Sequence, residues 1–251
     1  GLNKKIRIPK SYTLKAKNGD FIYVEIIDHP FKNKKPKAKV LEIIGSISDD
    51  AIEVKYTCFK NKISETFSEA ALAEVDIFDE SFIAEKSKDR RDMKHLNFVT
   101  IDSESTTDVD DAVCVEYNDN QWKLYVAIAD ATEFVIEGSN LDKEAKKKTS
   151  SMYFLGKNIP MLPSELSSDM CSLQAGKDRL AIICEMDFNE NADLVKYSFY
   201  EAVINSKAKL SYNEVEDYVQ GDNSFAEKYG CLSKVIQNLY ILHNLLKKNR
   251  E

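Results

Sequence analysis

Five carboxylates crowd into ten residues at Asp102-Ser103-Glu104-Ser105-Thr106-Thr107-Asp108-Val109-Asp110-Asp111, just ahead of an apolar run. Like charges this close repel one another unless something positive sits among them. Hard divalent cations such as Mg²⁺ take oxygen ligands, and Asp is the shortest rigid side chain that supplies them. In extended chain Asp108 and Asp110 face one side and Asp111 the other. Gathering Asp102, Asp108, Asp110 and Asp111 around one ion therefore needs a bend. Such a group suits metal-assisted phosphoryl transfer, where the ion offsets charge on the non-bridging oxygens and lowers the pKa of the attacking water. An EF-hand starting at Asp102 is excluded, because Thr107 stands at its glycine position and Val113 at its glutamate position. A solvated acidic loop is the competing reading. The flanking Ile101 and Ala112-Val113 favour a cluster held at the edge of a core.

The other residues with chemical potential read more plainly. Cys171 has no histidine near it in sequence and reads as a small buried hydrophobe. His29, His95 and His243 show no ligand spacing and read as structural or exposed. Arg179 and Lys207 are candidates for phosphate contacts, and ordinary surface charge accounts for them equally well. Cys58, Cys114, Cys171, Cys184 and Cys231 are odd in number and widely spaced, which fits neither a disulfide framework nor a CxxC zinc site. That usage is expected of a reduced, cytoplasmic protein.

The elements that must position the acidic cluster can be read in order. Residues 21–27 follow a Gly19-Asp20 turn signal and read as a strand, residues 38–44 as a second closed by Gly45, and residues 51–56 as a third. Between the first two lies the Pro- and Lys-rich loop Asp28-His29-Pro30-Phe31-Lys32-Asn33-Lys34-Lys35-Pro36. Short strands with long loops suggest a small barrel of the oligonucleotide-binding type. An acidic, helix-prone connector follows over residues 64–74, with a domain boundary between 75 and 88. Residues 113–117 and 122–129 flank Asn118-Asp119-Asn120 and predict a hairpin. Ser139-Asn140-Leu141-Asp142 has capping-box spacing and opens a helix to about Ser150. Strands are expected over 180–188 and 194–204, on either side of a polar turn. Phe225, Tyr229, Leu232, Val235, Ile236, Leu239, Leu242 and Leu246 recur at three- and four-residue intervals and predict a closing amphipathic helix. Its apolar face is expected to stay uncovered or to meet a neighbouring molecule.

Composition bounds the function. The 251 residues are 43% hydrophobic and 31% charged, ordinary for a globular chain of one large or two smaller domains. No apolar stretch reaches the roughly 18 residues of a membrane span, and no apolar run follows the basic residues Lys4, Lys5 and Arg7 as a signal peptide would require. The net charge of −7 argues against coating nucleic acid by charge alone. Its distribution is uneven: residues 1–40 carry +8, residues 41–84 carry −7 and the remainder −8. A basic segment on an acidic chain can guide a polyanion locally, and a solvated lysine-rich loop is the plainer reading.

The blocks around the aspartates resemble a known family. Phe98-Val99-Thr100-Ile101-Asp102-Ser103 through Asp108-Val109-Asp110-Asp111-Ala112 is similar to the signature of the ribonuclease II/ribonuclease R exoribonucleases, whose nuclease region carries four aspartates at this spacing. The resemblance continues through Val126-Ala127-Ile128-Ala129-Asp130, Glu137-Gly138-Ser139, Leu141-Asp142-Lys143-Glu144-Ala145 and Asn158-Ile159-Pro160-Met161-Leu162-Pro163. Glu165-Leu166-Ser167, Cys171-Ser172-Leu173 and Ser206-Lys207-Ala208-Lys209-Leu210-Ser211-Tyr212 complete it. Ala127 stands where ribonuclease R proteins usually have His, which leans the resemblance toward ribonuclease II. Residues 19–75 resemble the second cold-shock-like domain that precedes the nuclease region in this family.

The resemblance implies an α+β multi-domain chain. A small OB-like, cold-shock-type β-barrel with a connector helix would occupy residues 1–75, a linker 76–88, and part of a mixed α/β ribonuclease II catalytic domain 89–251. It further implies 3′→5′ hydrolysis of single-stranded RNA to nucleoside 5′-monophosphates with Mg²⁺, by a protein that is monomeric when intact and has no membrane partner. Carried over by position, Asp102, Asp108, Asp110 and Asp111 would bind metal and catalyse, with Asp110 the most critical for turnover. Tyr153 matches the family tyrosine that stacks on a base near the scissile 3′ end, and is expected to line a cleft leading to the cluster; a core tyrosine is the alternative. The second half of the nuclease region, with its phosphate-binding arginine and second aromatic, cannot be located here, so the chain alone is expected to be an incomplete and nearly inactive exoribonuclease. A non-catalytic RNA-binding protein that retains the nuclease fold is the other function class.

Overall fold

Apolar–polar alternation from Asp20 onward builds the first ladder. The computed structural model describes residues 5–28, 35–222 and 224–250. Strand β1 (Asp20–Asp28) pairs antiparallel with β2 (Lys37–Ser46), and cross-strand ion pairs join Lys39 to Glu25 at 2.6 Å and Lys37 to Asp28 at 3.1 Å. The intervening loop at 29–34, with His29, lies outside the described residues. The third strand expected over 51–56 is instead part of helix α1 (Ile52–Asn61). Ile52, Val54 and Tyr56 satisfy a period of two, but the apolar pattern continues to Phe59, seven residues on, which a helix and not a strand places on the same side as Ile52. Ile52 and Cys58 are buried, while the rings of Tyr56 and Phe59 pack on Phe21 and Tyr23. Gly45 permits this approach: a Cβ there would lie 2.8 Å from both Ile52 Cδ1 and Asp49 Oδ2.

Helices α2 (Glu69–Val75) and α3 (Glu80–Lys86) begin at side-chain caps, Ser68 for the first and Asp79 for the second. Strands β3 (Arg91–Asp92), β4 (Val99–Asp102), β5 (Asp111–Asn118) and β6 (Gln121–Ala129) follow. The β5–β6 turn holds Asp119 and Asn120 at φ 50° and 60°, the left-handed pair that a two-residue hairpin demands. Helix α4 (Asn140–Lys148) starts with Ser139 accepting from the Asp142 N–H, while the Asp142 carboxylate takes the Gly138 N–H. Helices α2 and α4 also cap each other: Glu74 accepts from the Asn140 and Leu141 N–H groups, and Glu144 from the N–H and hydroxyl of Ser68. A short hairpin, β7 (Met152–Phe154) with β8 (Lys157–Ile159), interrupts this part of the chain and belongs to the same compact unit as β1, β2 and α1.

The rest completes the second unit, Ser68–Ser151 with the chain from Pro160 onward. Strands β9 (Asp178–Phe188), β10 (Leu194–Asn205) and β11 (Ala208–Ser211) lead to helices α5 (Tyr212–Val219), α6 (Ser224–Tyr229) and α7 (Leu232–Arg250). A seven-stranded mixed sheet runs β11-β4-β5-β6-β9-β10-β3, parallel at β11–β4 and β10–β3 and antiparallel between. One face buries Ala112, Cys114, Ala127, Ile183 and Ile204 with Phe98, Val109 and Leu173. On the other, Leu232, Val235, Ile236 and Leu242 of α7 pack on Val99, Val115, Trp122, Phe188 and Leu210. The expected uncovered face of the closing helix is thus covered by the chain's own sheet, whose apolar residues Val99, Val115, Trp122, Phe188 and Leu210 face it. Gly230, at φ +54°, separates α6 from α7. No helix among the described residues is long and apolar enough to cross a membrane.

Behind the sheet, Arg90 and Asp130 form an ion pair at 2.5 Å with both side chains almost wholly buried, and Glu133 adds a contact at 3.1 Å. Burial pushes the Asp130 carboxyl up, but hydrogen bonds from Thr132 and Arg90 outweigh it and hold the group below the usual carboxylate range. A depressed folded pKa contributes stability that is complete above the unfolded value and lost as pH falls through the folded one. Asp130→Asn is therefore expected to cost about 3 kcal/mol at neutral pH, by leaving a buried guanidinium short of its partner. Urea melts of both proteins should show this gap at pH 7 and its closure below about pH 4; a gap that persists unchanged at pH 2 contradicts the assignment.

Candidate active site

Strand β4 lies inside the sheet, between parallel β11 and antiparallel β5, and its Val99 and Thr100 are fully buried. It ends at Asp102, opposite Ser211 of β11. The chain leaves the sheet at Ser103 and re-enters it at Asp111, opposite Ile128 of β6. Asp102 and Asp111 are thereby fixed at the same end of neighbouring strands, and the loop 103–110 between them carries Asp108 and Asp110.

That loop is tied down along its length. The Thr106 N–H donates to the Ser103 carbonyl at 3.1 Å. Lys209, from β11, donates Nζ to the carbonyls of Glu104, at 3.1 Å, and Thr106. Ser172 Oγ donates to the Thr107 carbonyl at 2.9 Å and accepts from the Val109 N–H at 3.1 Å. The Leu173 N–H reaches the Val109 carbonyl, and the Ala129 N–H reaches the Asp110 carbonyl at 2.8 Å. Val109 itself is 2% exposed and sits in the core, so an apolar anchor separates Asp108 from Asp110.

The four aspartates feel one another. The Asp110 carboxyl is raised above the usual range first by burial, then by the charges of Asp108, Asp111 and Asp102. Asp110 keeps solvent-exposed surface, so water screens part of that field. The Asp102 carboxyl is raised by burial and then by Asp111 and Asp108, with Lys209 acting against them. Among the described residues no ion pair neutralises Asp102, Asp110 or Asp111. The donors are all carboxylate oxygens, the ligand class Mg²⁺ takes. They are not drawn into a finished cage: among the described residues no three His, Cys, Asp or Glu side chains stand close enough to hold an ion. The donor set fits Mg²⁺ in chemistry and in field.

Other candidates fall elsewhere. Arg179 is not a surface charge but is fully buried, donating to the carbonyls of Asp169, Ser172 and Asp178 and to the carboxylates of Glu80 and Asp169. Its donors are committed to holding the turn that carries Ser172. Lys207 donates to the Lys94 carbonyl at 2.8 Å. Cys171 is buried, and burial pushes its thiol up to about 12, which leaves no thiolate to act as a nucleophile. His95 and His243 are exposed. Tyr153 lies on β7 opposite Asn158, in the first compact unit, and its ring is 63% exposed rather than part of a core. Ser172 and Lys209 were not singled out by residue type. Both fall in blocks quoted for the family resemblance, but their contacts depend on folds of chain some 60 to 100 residues away.

The RNB domain family matches residues 90–251, and the cold shock domain family matches residues 1–68. Ribonuclease R of Vibrio parahaemolyticus is 35% identical over 251 residues, covering 100% of this chain and 30% of that protein. Ribonuclease R of Escherichia coli K12 is 36% identical over 247 residues, covering 98% of this chain and 30% of that protein. The solved structure of Mycoplasma genitalium RNase R in complex with double-stranded RNA superposes with a TM-score of 0.85 at 26% identity, covering 99% of this chain and 44% of that one. The chain thus spans about 30% of the length of these curated relatives. They carry the name ribonuclease R, so the lean toward ribonuclease II suggested by Ala127 gains no support from them. With its RNB match over most of its length and a cold shock match ahead of it, the chain belongs to the RNB family and joins a cold shock domain to part of an RNB domain.

Proposed function

We propose that this chain is the cold-shock and leading RNB portion of a 3′→5′ exoribonuclease that hydrolyses single-stranded RNA to nucleoside 5′-monophosphates with Mg²⁺. The observation that carries the reading is the placing of Asp102 and Asp111 at one end of β4 and β5 with Asp108 and Asp110 on the loop between them, where neighbouring carboxylates raise Asp102 and Asp110 and no ion pair among the described residues neutralises Asp102, Asp110 or Asp111. A structural loop gains nothing from carboxylates raised by one another's charge, and a module that only binds RNA is weakened by them. Bound by these aspartates, Mg²⁺ would neutralise charge on the non-bridging phosphate oxygens and lower the pKa of the attacking water. The tethered loop supplies orientation, and the buried Val109 fixes the main chain between Asp108 and Asp110.

RNA as the ligand is supported by the Mycoplasma genitalium relative described in complex with it. Within the family, the relatives at 35% and 36% identity support a ribonuclease R-like protein over a ribonuclease II-like one. Tyr153 would stack on a base near the 3′ end; its exposed ring suits a sequence-tolerant contact, since every base has a π-face. The expectation of a monomer when intact is retained as part of this reading.

In the whole protein, Asp110→Asn is expected to abolish turnover while leaving RNA binding intact or tighter, because one repulsive charge near phosphate is gone. Single-turnover degradation with a parallel filter-binding assay reads both quantities. Cleavage at near wild-type rate would overturn the assignment, and a wild-type protein that binds RNA yet releases no mononucleotides with Mg²⁺ would favour the non-catalytic alternative.

Tyr153→Ala should lengthen the shortest RNA left undegraded, since it removes a stacking contact worth about 1–3 kcal/mol. End-product sizing on a gel checks this, and an unchanged product length would sink the stacking role.

The 251-residue chain alone should release mononucleotides far more slowly than the whole protein, because it spans only about 30% of its relatives. Processive degradation by the isolated chain at a comparable rate would show that these residues suffice.

A further inference from the structure

Ser172 is 1% exposed, and its hydroxyl works in both directions at once. Oγ accepts from the Val109 N–H at 3.1 Å and donates to the Thr107 carbonyl at 2.9 Å. These two main-chain groups bracket Asp108 and lead directly into Asp110. The adjacent Leu173 N–H holds the Val109 carbonyl at 2.9 Å, so one turn grips the loop through two consecutive residues. The turn is fixed from behind, because Arg179 Nε donates to the carbonyls of Asp169 at 3.1 Å and Ser172 at 3.2 Å. A serine hydroxyl is the most compact group that donates and accepts together. Alanine in its place would leave the buried Val109 N–H without its partner.

We infer that Ser172 is a positioning residue of the carboxylate centre: it fixes the main chain on both sides of Asp108, so that Asp108 and Asp110 meet a divalent cation together with Asp102 and Asp111. The inference rests on the metal-centre reading proposed above. It adds a residue outside the ligand set, on a segment 65 residues along the chain from Thr107. Groups in such a place hold a metal's ligands in register, and their loss typically lowers metal affinity by about 10–100-fold. Ser172 has no charge, so its removal changes the loop's order without altering the field on the cation.

The test is Mn²⁺ binding by the 251-residue chain, followed as loss of the free Mn²⁺ electron paramagnetic resonance signal well below the melting temperature. Four proteins are compared: wild type, Ser172→Ala, Asp110→Asn, and Ser139→Ala, which removes the cap of α4 on a different segment. Ser172→Ala should raise the Kd for Mn²⁺ about 10–100-fold. Ser139→Ala should lower the Tm yet leave the Kd at the wild-type value. If Ser172→Ala does not fold, Ser172→Cys is read by the same criterion, since a thiol of similar size is a weak donor and acceptor. Wild-type affinity in the Ser172 variant, with Asp110→Asn still losing the ion, overturns the positioning role and leaves the metal centre standing. Mn²⁺ binding that Asp110→Asn does not alter removes the metal centre, and the positioning role with it.

Discussion

Val109 carries an unusual load for one valine. It lies in a loop whose neighbours on both sides are aspartates, yet it is buried in the core beside Phe98, Ala112 and Leu173. Burying a side chain of this size stabilises by roughly 1.5–3 kcal/mol. That anchor, with the main-chain bonds on either side of it, opposes the repulsion that would otherwise drive the carboxylates of loop 103–110 apart into water. Asp102 and Asp111 need no such device, because the ends of β4 and β5 already fix them.

The remaining buried charges show how different this loop is. Arg90 is paired with Asp130 and Glu133, and Arg179 spends its donors on three carbonyls and two carboxylates. These are saturated structural groups, and they obey the rule that a charge out of water is paired or hydrogen-bonded. Asp102, half-buried, and Asp110, which keeps solvent-exposed surface, are not paired in this way, and partial burial and like neighbours both raise their carboxyls. Perturbation by desolvation together with specific charged neighbours is characteristic of functional groups. Arg179 also joins the two regimes, since the carbonyl it holds belongs to Ser172, whose hydroxyl holds the loop.

The cluster, the β5–β6 hairpin, the paired strands β9 and β10 and the helical close of the chain were legible in residue order. Each rests on a short-range signal: charge density, an Asn-Asp-Asn turn, or apolar recurrence over three and four residues. Residues 51–56 were misread as a strand because six residues of alternating pattern fit either element. The choice was made by the apolar surface of β1, on whose Phe21 and Tyr23 the rings of Tyr56 and Phe59 pack. Arg179 was equally ambiguous in sequence. Nothing in its neighbours announces that Glu80, about 100 residues earlier, folds beside it.

What the sequence determined by itself is the chemistry available: four carboxylates at a fixed spacing, in a family whose blocks follow in order along residues 90–251. Residue type and spacing are local properties, and no later event in folding can alter them. Only the tertiary structure decided how those carboxylates are held. Lys209 reaches the main-chain carbonyls of their loop because β11 pairs in parallel with β4, and Ser172 reaches its main chain at Thr107 and Val109 from a turn further along the chain. Both depend on bringing together segments separated by some 60 to 100 residues. Parallel pairing across such a span is selected by burial of the whole sheet, not by any signal carried in the residues that end up touching.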